Sequence, residues 1–124
     1  MQNITFENFQ IYPALKMTWR NEIKDADVIY SFGEINNALA KTDQLIFMIV
    51  DLTANPTYPL LTTVHKALPA YRNDMVREWL VIGNNWMART IEGTLAKMTG
   101  KKNVRWFKTE ADVFAYLNKV TNQV

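Results

Sequence analysis

A run of apolar residues near the middle of the chain constrains the fold more than any other feature. The segment from Gln44 to Thr53 reads QLIFMIVDLT, in which Leu45 to Val50 are all apolar and Asp51 ends the run. A short continuous run rich in β-branched residues, followed by turn residues, is typical of a strand buried on both faces. Such a strand needs helices on both sides of its sheet, so the sequence predicts an α/β fold.

Length and composition limit the class of protein. The 124 residues, of which 48% are apolar and 21% charged, fit one globular domain spanning residues 1–124. A formal charge of +2 is too small to indicate binding of nucleic acid. The chain has no cysteine, which excludes disulfides, thiolate nucleophiles and cysteine metal sites. No leader sequence or membrane-spanning run is recognisable, so we expect a cytoplasmic protein.

Hydrophobic periodicity predicts the element order β-β-α-β-α-β-α-β-α. Alternation over the first 20 residues predicts a hairpin at or near a sheet edge, broken near Pro13. We expect Pro69 to end or kink the second helix, and Gly33 inside the first helix to mark close packing against the sheet. The fold class is therefore a mixed sheet of about five strands flanked by four helices. The predicted ranges after the hairpin are a helix over 25–41, a strand over 44–53, a helix over 59–68, a strand from about residue 76 to 83, a helix from 85 to about 99, a strand over 103–107 and a last helix after Thr109.

Apolar residues at helical spacing predict the buried side of each helix. Asn85 is a candidate N-cap and Gly100 a candidate C-cap of the third helix, while Thr109 and Asp112 resemble a capping box for the fourth. The predicted buried residues are Val28, Phe32, Ile35 and Leu39 in the first helix, Leu61, Val64, Leu68 and Tyr71 in the second, Met87, Ile91, Leu95 and Met98 in the third, and Ala111, Phe114, Leu117 and either Tyr116 or Val120 in the fourth.

Three short segments together resemble a known superfamily. They are the strand ending in Asp51-Leu52-Thr53 with its proline-rich turn, the strand ending in Gly83-Asn84-Asn85-Trp86, and the final VRWFKTEADVFAYL. In this order they resemble the STAS-like superfamily, the SpoIIAA-like fold of bacterial anti-sigma-factor antagonists, and most of all its small uncharacterised single-domain bacterial members. A more distant resemblance, to lipid-binding domains of the Sec14 type, follows from how related small bacterial domains are grouped, and no residue of this chain specifies a lipid.

The resemblance also concerns a regulatory position. In the antagonists, the loop after the corresponding strand carries a phosphorylatable serine at the start of the next helix. Here that loop reads DLTANPTYP from Asp51 to Pro59; Thr53 matches a motif serine, and no Asp-Ser pair stands at the switch position. Thr57 is the nearby hydroxyl that could replace the serine.

Polar residues follow the two central strands where both strands end, and the carboxyl ends of parallel strands are where ligands or partners bind. Asp51 is an ordinary turn acceptor for the backbone of Thr53 or Ala54, and a carboxylate there is also suitably placed for chemistry. Arg89 would hold an anion if one bound at this end of the helix. The candidate ligand or partner surface comprises Asp51, Thr53, Thr57, Tyr58, Asn84, Asn85 and Arg89.

No catalytic or metal site is predicted. His65 is the only histidine and has no evident partner, which also excludes the usual zinc arrangements. The residues indicate neither a nucleophile–base pair nor a cofactor motif, so we expect no cofactor and no enzymatic activity.

Two functions remain open from the sequence. The first is a non-catalytic regulatory or protein-interaction module whose partner is another protein or a second copy, with a homodimer favoured because aromatic residues are abundant. The second is a binder of a small apolar or anionic, lipid-like ligand in the crevice at the strand carboxyl ends. A ligand binder should contain an apolar cavity of several hundred Å³, an interaction module an exposed apolar patch, and an enzyme Asp51 or His65 in a cleft with a perturbed pKa.

Overall fold

The apolar run predicted as a central strand lies in the middle of a five-stranded sheet. The computed structural model describes residues 3–121; residues 1–2 and 122–124 of the predicted 1–124 domain lie outside the described residues. The elements are β1 (Ile4–Asn8), β2 (Ala14–Trp19), α1 (Asp25–Lys41), β3 (Ile46–Asp51), α2 (Leu60–Arg72), β4 (Val76–Ile82), α3 (Trp86–Thr99), β5 (Val104–Phe107) and α4 (Glu110–Thr121).

The strands follow one another across the sheet in the order β1-β2-β3-β4-β5. β1 is antiparallel to β2, and every later pair of neighbours is parallel. The predicted hairpin therefore forms one edge of a mixed sheet, as expected. Asp51 at the end of β3 pairs with Ile82 at the end of β4, so the carboxyl ends of the two central strands are level.

Alternating side chains of the sheet build two separate cores. Met48 of β3 faces the layer formed by α1, α2 and α3, whereas Phe47 and Ile49 face Val113 and Leu117 of α4. All five of these residues are buried, because β3 is covered by helices on both faces. The prediction of helices on both sides of the sheet is confirmed.

The buried sides of the helices are predicted with uneven success. All four residues predicted in α1 are buried, but Leu61 in α2 is 75% exposed. The buried stripe of α2 instead begins at Thr63, whose hydroxyl donates to the carbonyl oxygen of Pro59 at 2.6 Å and so needs no water. Thr63 is polar but lies on the inner face of α2. A prediction from apolar residues alone therefore assigns the wrong side of this helix to the core. Similar errors place Met98 and Ala111 inside, although both are exposed, and miss the buried Val113.

The predicted packing of Gly33 against the sheet is wrong, and α2 does not end at Pro69, which was one of the two outcomes expected of that residue. α2 continues through Pro69 to Arg72, because the buried ring of Tyr71 stacks with Trp79 at 6.4 Å and its hydroxyl donates to the Lys101 carbonyl, which holds the last turn. Gly33 does not approach the sheet: it is exposed, and a Cβ there would meet no other atom within 4 Å.

The predicted caps of α3 are correct, and one of the two bonds of the predicted capping box of α4 is present. The Asn85 side chain accepts from the backbone N–H of Ala88, and Gly100 ends α3 with a left-handed φ of 76°. The Thr109 hydroxyl oxygen accepts from the backbone N–H of Asp112 at 3.2 Å. Within residues 3–121, no helix has the length and apolar character needed to cross a membrane.

Candidate functional site

Two loops meet at the carboxyl ends of β3 and β4. We call residues 52–59, between β3 and α2, together with residues 83–89, which enter α3, the rim. Gly83 lies close to the β3 loop: its φ is 114°, and a Cβ would lie 3.1 Å from the carbonyl oxygen of Leu52. A side chain at this position would push the loops apart, so glycine permits the rim to form.

Asn85 connects the two loops of the rim. Its Oδ1 accepts from the Tyr58 hydroxyl at 2.9 Å and from the Ala88 backbone N–H at 3.0 Å. Its Nδ2 donates to Asn55 Oδ1 at 3.0 Å and to the Pro56 carbonyl at 3.2 Å. Because Asn85 is only 3% exposed and its amide makes four hydrogen bonds, its side chain holds the rim together and presents no group to a ligand.

Tyr58 is the buried partner of Asn85. Its ring packs edge-on against Trp19, with centroids 5.1 Å apart, and burial raises the pKa of its phenol well above the ordinary value. The hydroxyl therefore stays protonated at neutral pH and donates to Asn85. Like Asn85, Tyr58 supports the surface from within.

Asp51 lies on the opposite face of the sheet, toward α4. Its Oδ1 accepts from the backbone N–H of Thr53 at 3.0 Å and from the Thr53 hydroxyl at 2.8 Å. Its Oδ2 is 3.5 Å from Lys16 Nζ, which also donates to the Glu110 carboxylate. The predicted turn role of Asp51 is correct, and the carboxylate is in addition part of a Lys16–Asp51–Glu110 ion cluster.

The ion cluster alters the titration of Lys16. Burial alone would lower the pKa of this lysine, but the hydrogen bond and charge of Glu110, with the charge of Asp51, outweigh burial and raise it. Sequence reasoning missed Lys16 and Glu110 because 94 residues separate them. The one available signal was a lysine between the apolar residues Leu15 and Met17 of β2.

Asn84 and Arg89 form a third group on the α3 side of the rim. The Arg89 Nε donates to Asn84 Oδ1 at 3.2 Å, and the guanidinium lies 4.2 Å from the ring centroid of Trp106 in β5. A cation held over an aromatic face keeps its outer edge available to solvent. The contact between Arg89 and Trp106 was not predicted from the sequence. It depends on β5 lying next to β4 in the sheet, and the residue patterns do not show this order.

Thr57 is exposed, and its backbone pairs with the segment before α1. Its N–H donates to the Asn21 carbonyl at 3.2 Å, and its carbonyl accepts from the N–H of Ile23 at 2.8 Å. α2 begins three residues later, at Leu60. Thr57 therefore lies before the helix, in an isolated β-bridge with Glu22. The position therefore differs from a serine at the start of the helix, which is the arrangement that the resemblance implies.

His65 is exposed on α2 and lies outside the rim. Within the described part of the chain, no group of three histidine, cysteine, aspartate or glutamate side chains is arranged to hold a metal ion. The polar groups near the strand ends thus form three sets. Tyr58 and Asn85 are buried under the rim, Lys16, Asp51 and Glu110 lie on the α4 face of the sheet, and Asn84 and Arg89 lie on the α3 side of the rim.

Large apolar side chains are exposed where the rim meets α2 and α3. Trp86, the first residue of α3, is 67% exposed, and Leu61, near the start of α2, is 75% exposed. Along the chain, Leu61 follows Tyr58 by three residues and Trp86 follows Asn85 by one, and a hydrogen bond joins Tyr58 to Asn85. We call Leu61 and Trp86 the apolar pair.

An apolar cavity lies behind the rim, between the sheet and helices α2 and α3. Its volume is about 90 Å³, and its wall includes Met17, Phe32, Trp79 and Leu95. It is therefore much smaller than the several hundred Å³ expected of a lipid-sized pocket.

Comparison with known proteins identifies the architecture. No protein-family model matches the sequence, and neither does any curated protein. Among solved structures, the chain is similar to the crystal structure of an uncharacterised DUF3478-family protein with a SpoIIAA-like fold from Shewanella loihica PV-4. The two share 16% sequence identity with a TM-score of 0.65, over 92% of this chain and 91% of that chain. This chain has a SpoIIAA-like fold.

The similarity to this solved structure concerns the architecture of the chain. It confirms the resemblance drawn from the three sequence segments at the level of architecture. A similarity at 16% identity concerns the fold alone.

Proposed function

We propose that this protein is a non-catalytic, cytoplasmic regulatory or protein-interaction module that binds its partner through the rim. The observation that carries the proposal is the exposed apolar pair, Leu61 and Trp86, beside loops that are fixed from within by Asn85. Tryptophan is enriched among residues that dominate binding energy at protein interfaces. Loops that are already ordered lose little conformational freedom on binding.

Two features support a role without catalysis. The Asp51 carboxylate already binds Thr53 and Lys16, and His65 is exposed on α2, outside the rim. The bonds of the Asp51 carboxylate to the Thr53 backbone and hydroxyl are those of a turn, which supports a structural role for this residue. Asn84 and Arg89 then serve as polar contacts around the apolar pair.

The partner is another protein or a second copy of this chain, and we favour a homodimer. A lipid-like ligand in the crevice, the alternative that the sequence leaves open, has less support because the apolar cavity measures only about 90 Å³.

Photo-crosslinking in living cells tests the proposal. A photoreactive amino acid replaces Trp86 in one variant, and in the control variant it replaces Met98, which is 52% exposed elsewhere on α3. We expect position 86 to give a discrete crosslinked band that position 98 does not give. The mass of that band distinguishes a second copy of the chain from a different protein.

Equal crosslinking from both positions, or none from position 86, would count against the rim as the interaction surface. A Leu61→Ser substitution in the position-86 variant adds a second criterion. Because the apolar pair should act together, this substitution is expected to reduce the crosslinked band.

A further inference from the structure

A groove lies at the end of the sheet opposite the rim. It runs between the loop of the β1–β2 hairpin, residues 9–13, and the loop that joins α1 to β3, residues 42–45. Ala14 and Ile46, the first residues of β2 and β3, line it, whereas the rim lies at the carboxyl ends of β3 and β4. Its volume is about 450 Å³, which is in the range of sites that bind small molecules.

The wall of this groove is polar but uncharged. Polar atoms form most of it, and none of the described residues that line it is acidic or basic. The polar atoms therefore belong to amide, hydroxyl and backbone groups; the lining residues with polar side chains are Asn8, Gln10, Tyr12, Thr42 and Gln44. An ion would give up water here without meeting an opposite charge, so the wall favours a neutral ligand with several hydrogen-bonding groups.

Contacts with the rest of the fold hold both sides of the groove in place. On the hairpin side, the Tyr12 ring stacks with Phe114 of α4, with centroids 5.8 Å apart, and the Tyr12 hydroxyl donates to Asn118 Oδ1. On the other side, the Thr42 hydroxyl donates to the Gln44 carbonyl at 3.0 Å and accepts from the Gln44 N–H at 3.3 Å. Because these walls are already ordered, little conformational freedom is lost when a ligand binds.

The volume and the apolar part of the wall restrict the ligand further. A cavity of roughly 150 Å³ holds benzene, so a volume of about 450 Å³ holds roughly 18 non-hydrogen atoms, and a hexose has about 12. The remaining space admits waters that bridge the ligand to the wall. Ile11, which is 68% exposed, and Pro13 add apolar surface on which the C–H groups of a sugar ring can pack.

We propose that the groove between residues 9–13 and 42–45 binds a neutral monosaccharide. The hydroxyl groups of the sugar exchange hydrogen bonds with the polar wall, to which the exposed residues Asn8, Gln10 and Gln44 contribute, and its C–H groups pack on Ile11 and Pro13. The site is separate from the rim, so the proposal does not depend on a protein partner bound there.

Titration of ¹⁵N-labelled protein, followed through its amide NMR signals, tests the proposal. The probes are glucose, galactose and mannose at pH 6.5. We expect at least one of them to bind saturably with a Kd on the order of millimolar, and the largest shifts to fall in residues 8–15 and 38–46. Three controls then follow for the hexose that binds best: its cationic 2-amino derivative, its anionic uronate, and cyclohexanemethanol, which has neither the ring oxygen nor the ring hydroxyl groups. Each control should bind at least roughly threefold more weakly than the hexose.

Two charge substitutions at one exposed wall position locate the bound sugar. Gln44→Glu puts a negative charge into the wall and should strengthen binding of the amino sugar roughly three- to fourfold, while it weakens binding of the uronate. Gln44→Lys should have the opposite effect on the two ligands. The matched control is Thr94→Glu, at an exposed position of α3 outside the groove, which adds the same charge as Gln44→Glu and should alter neither affinity.

Four results would overturn the proposal. The first is the absence of saturable shifts with all three hexoses up to about 100 mM, and the second is a set of shifts centred outside residues 8–15 and 38–46. The third is binding of cyclohexanemethanol as tight as that of the best hexose, since the hydroxyl groups would then contribute nothing. The fourth is an equal gain in amino-sugar affinity for Gln44→Glu and Thr94→Glu, which would indicate attraction by overall charge. Crosslinking at Trp86 enters none of these measurements, so the groove and the rim are tested separately.

Discussion

Asn85 makes four hydrogen bonds from a single buried amide, and an Asn85→Ala substitution would remove all of them. The substitution leaves the Tyr58 hydroxyl without its acceptor and deletes the N-cap of α3. We expect the free energy of unfolding to fall by about 3 kcal/mol, from the lost cap and the unsatisfied buried groups. Urea denaturation monitored by tryptophan fluorescence measures the change.

The neighbouring asparagine provides the control for this prediction. Asn84 is exposed and its side chain accepts a hydrogen bond from the exposed Arg89, so Asn84→Ala should change stability by no more than about 0.5 kcal/mol. Similar losses in both variants would show that the Asn85 amide has no special role.

Tyr58 gives the protein a pH dependence at alkaline pH. In the unfolded chain its phenol ionises near its ordinary value of 10.0, while burial raises the pKa in the folded state. Its contribution is therefore complete below pH 10 and is lost as the pH rises toward the folded-state pKa. We expect Tyr58→Phe to be about 1 kcal/mol less stable than the wild type at pH 8, because the bond to Asn85 is lost.

The order should reverse when the pH rises. At pH 11 the wild type loses about 1.4 kcal/mol through ionisation of Tyr58 in the unfolded chain, and Tyr58→Phe does not. Urea unfolding of both proteins at pH 8 and pH 11 measures this difference. A constant difference at the two pH values would contradict the buried, neutral state of Tyr58.

At the scale of the helices, two glycines should respond to alanine in opposite directions. Gly33 lies inside α1 with open space around it, so Gly33→Ala should stabilise the protein by about 1 kcal/mol through helix propensity. Gly100 has a φ of 76° at the C-cap of α3, so Gly100→Ala should destabilise it by about 1 kcal/mol. Thermal denaturation of the two variants beside the wild type is sufficient, and a stabilised Gly100→Ala would contradict the left-handed cap.

Sequence patterns predicted most elements well, because α1, α3 and β3 carry their own boundary signals. The limits of α1, the cap residues of α3 and the buried run of β3 all follow from local chemistry. The helical phase of α2 could not be predicted, since Thr63 replaces an apolar residue on its inner face. The extension of α2 past Pro69 likewise depends on contacts with a distant strand.

The sequence predicted which residues lie near the strand ends, but it did not predict the hydrogen bonds and ion pairs between their side chains. Asp51, Tyr58 and Asn85 do lie at the strand ends, as the parallel sheet requires. Which of them face the interior depends on partners brought in by the fold, such as Lys16 for Asp51. Spacing along the sequence contains no information on such pairs.

At the scale of the whole molecule, the sheet should be most stable at its centre and least stable at β1. β3 is paired on both sides and lies between two cores, whereas β1 has one neighbour and a mostly exposed set of side chains. Hydrogen exchange measured by NMR should show β1 amides exchanging at least roughly a hundredfold faster than those of Met48 and Ile49. Equally slow exchange in β1 would instead indicate that this edge is covered in solution, as in a dimer joined edge to edge.

The Asn85 amide also sets a rule for engineering this scaffold. A peptide grafted into the loop between β3 and α2 would have to reproduce the acceptors at Asn55 and Pro56, or the grafted loop would lose its anchor. Libraries that randomise only the loop tip, at Thr53 and Ala54, would leave the anchor intact. The loop and the start of α3 are therefore best transplanted or diversified as one unit.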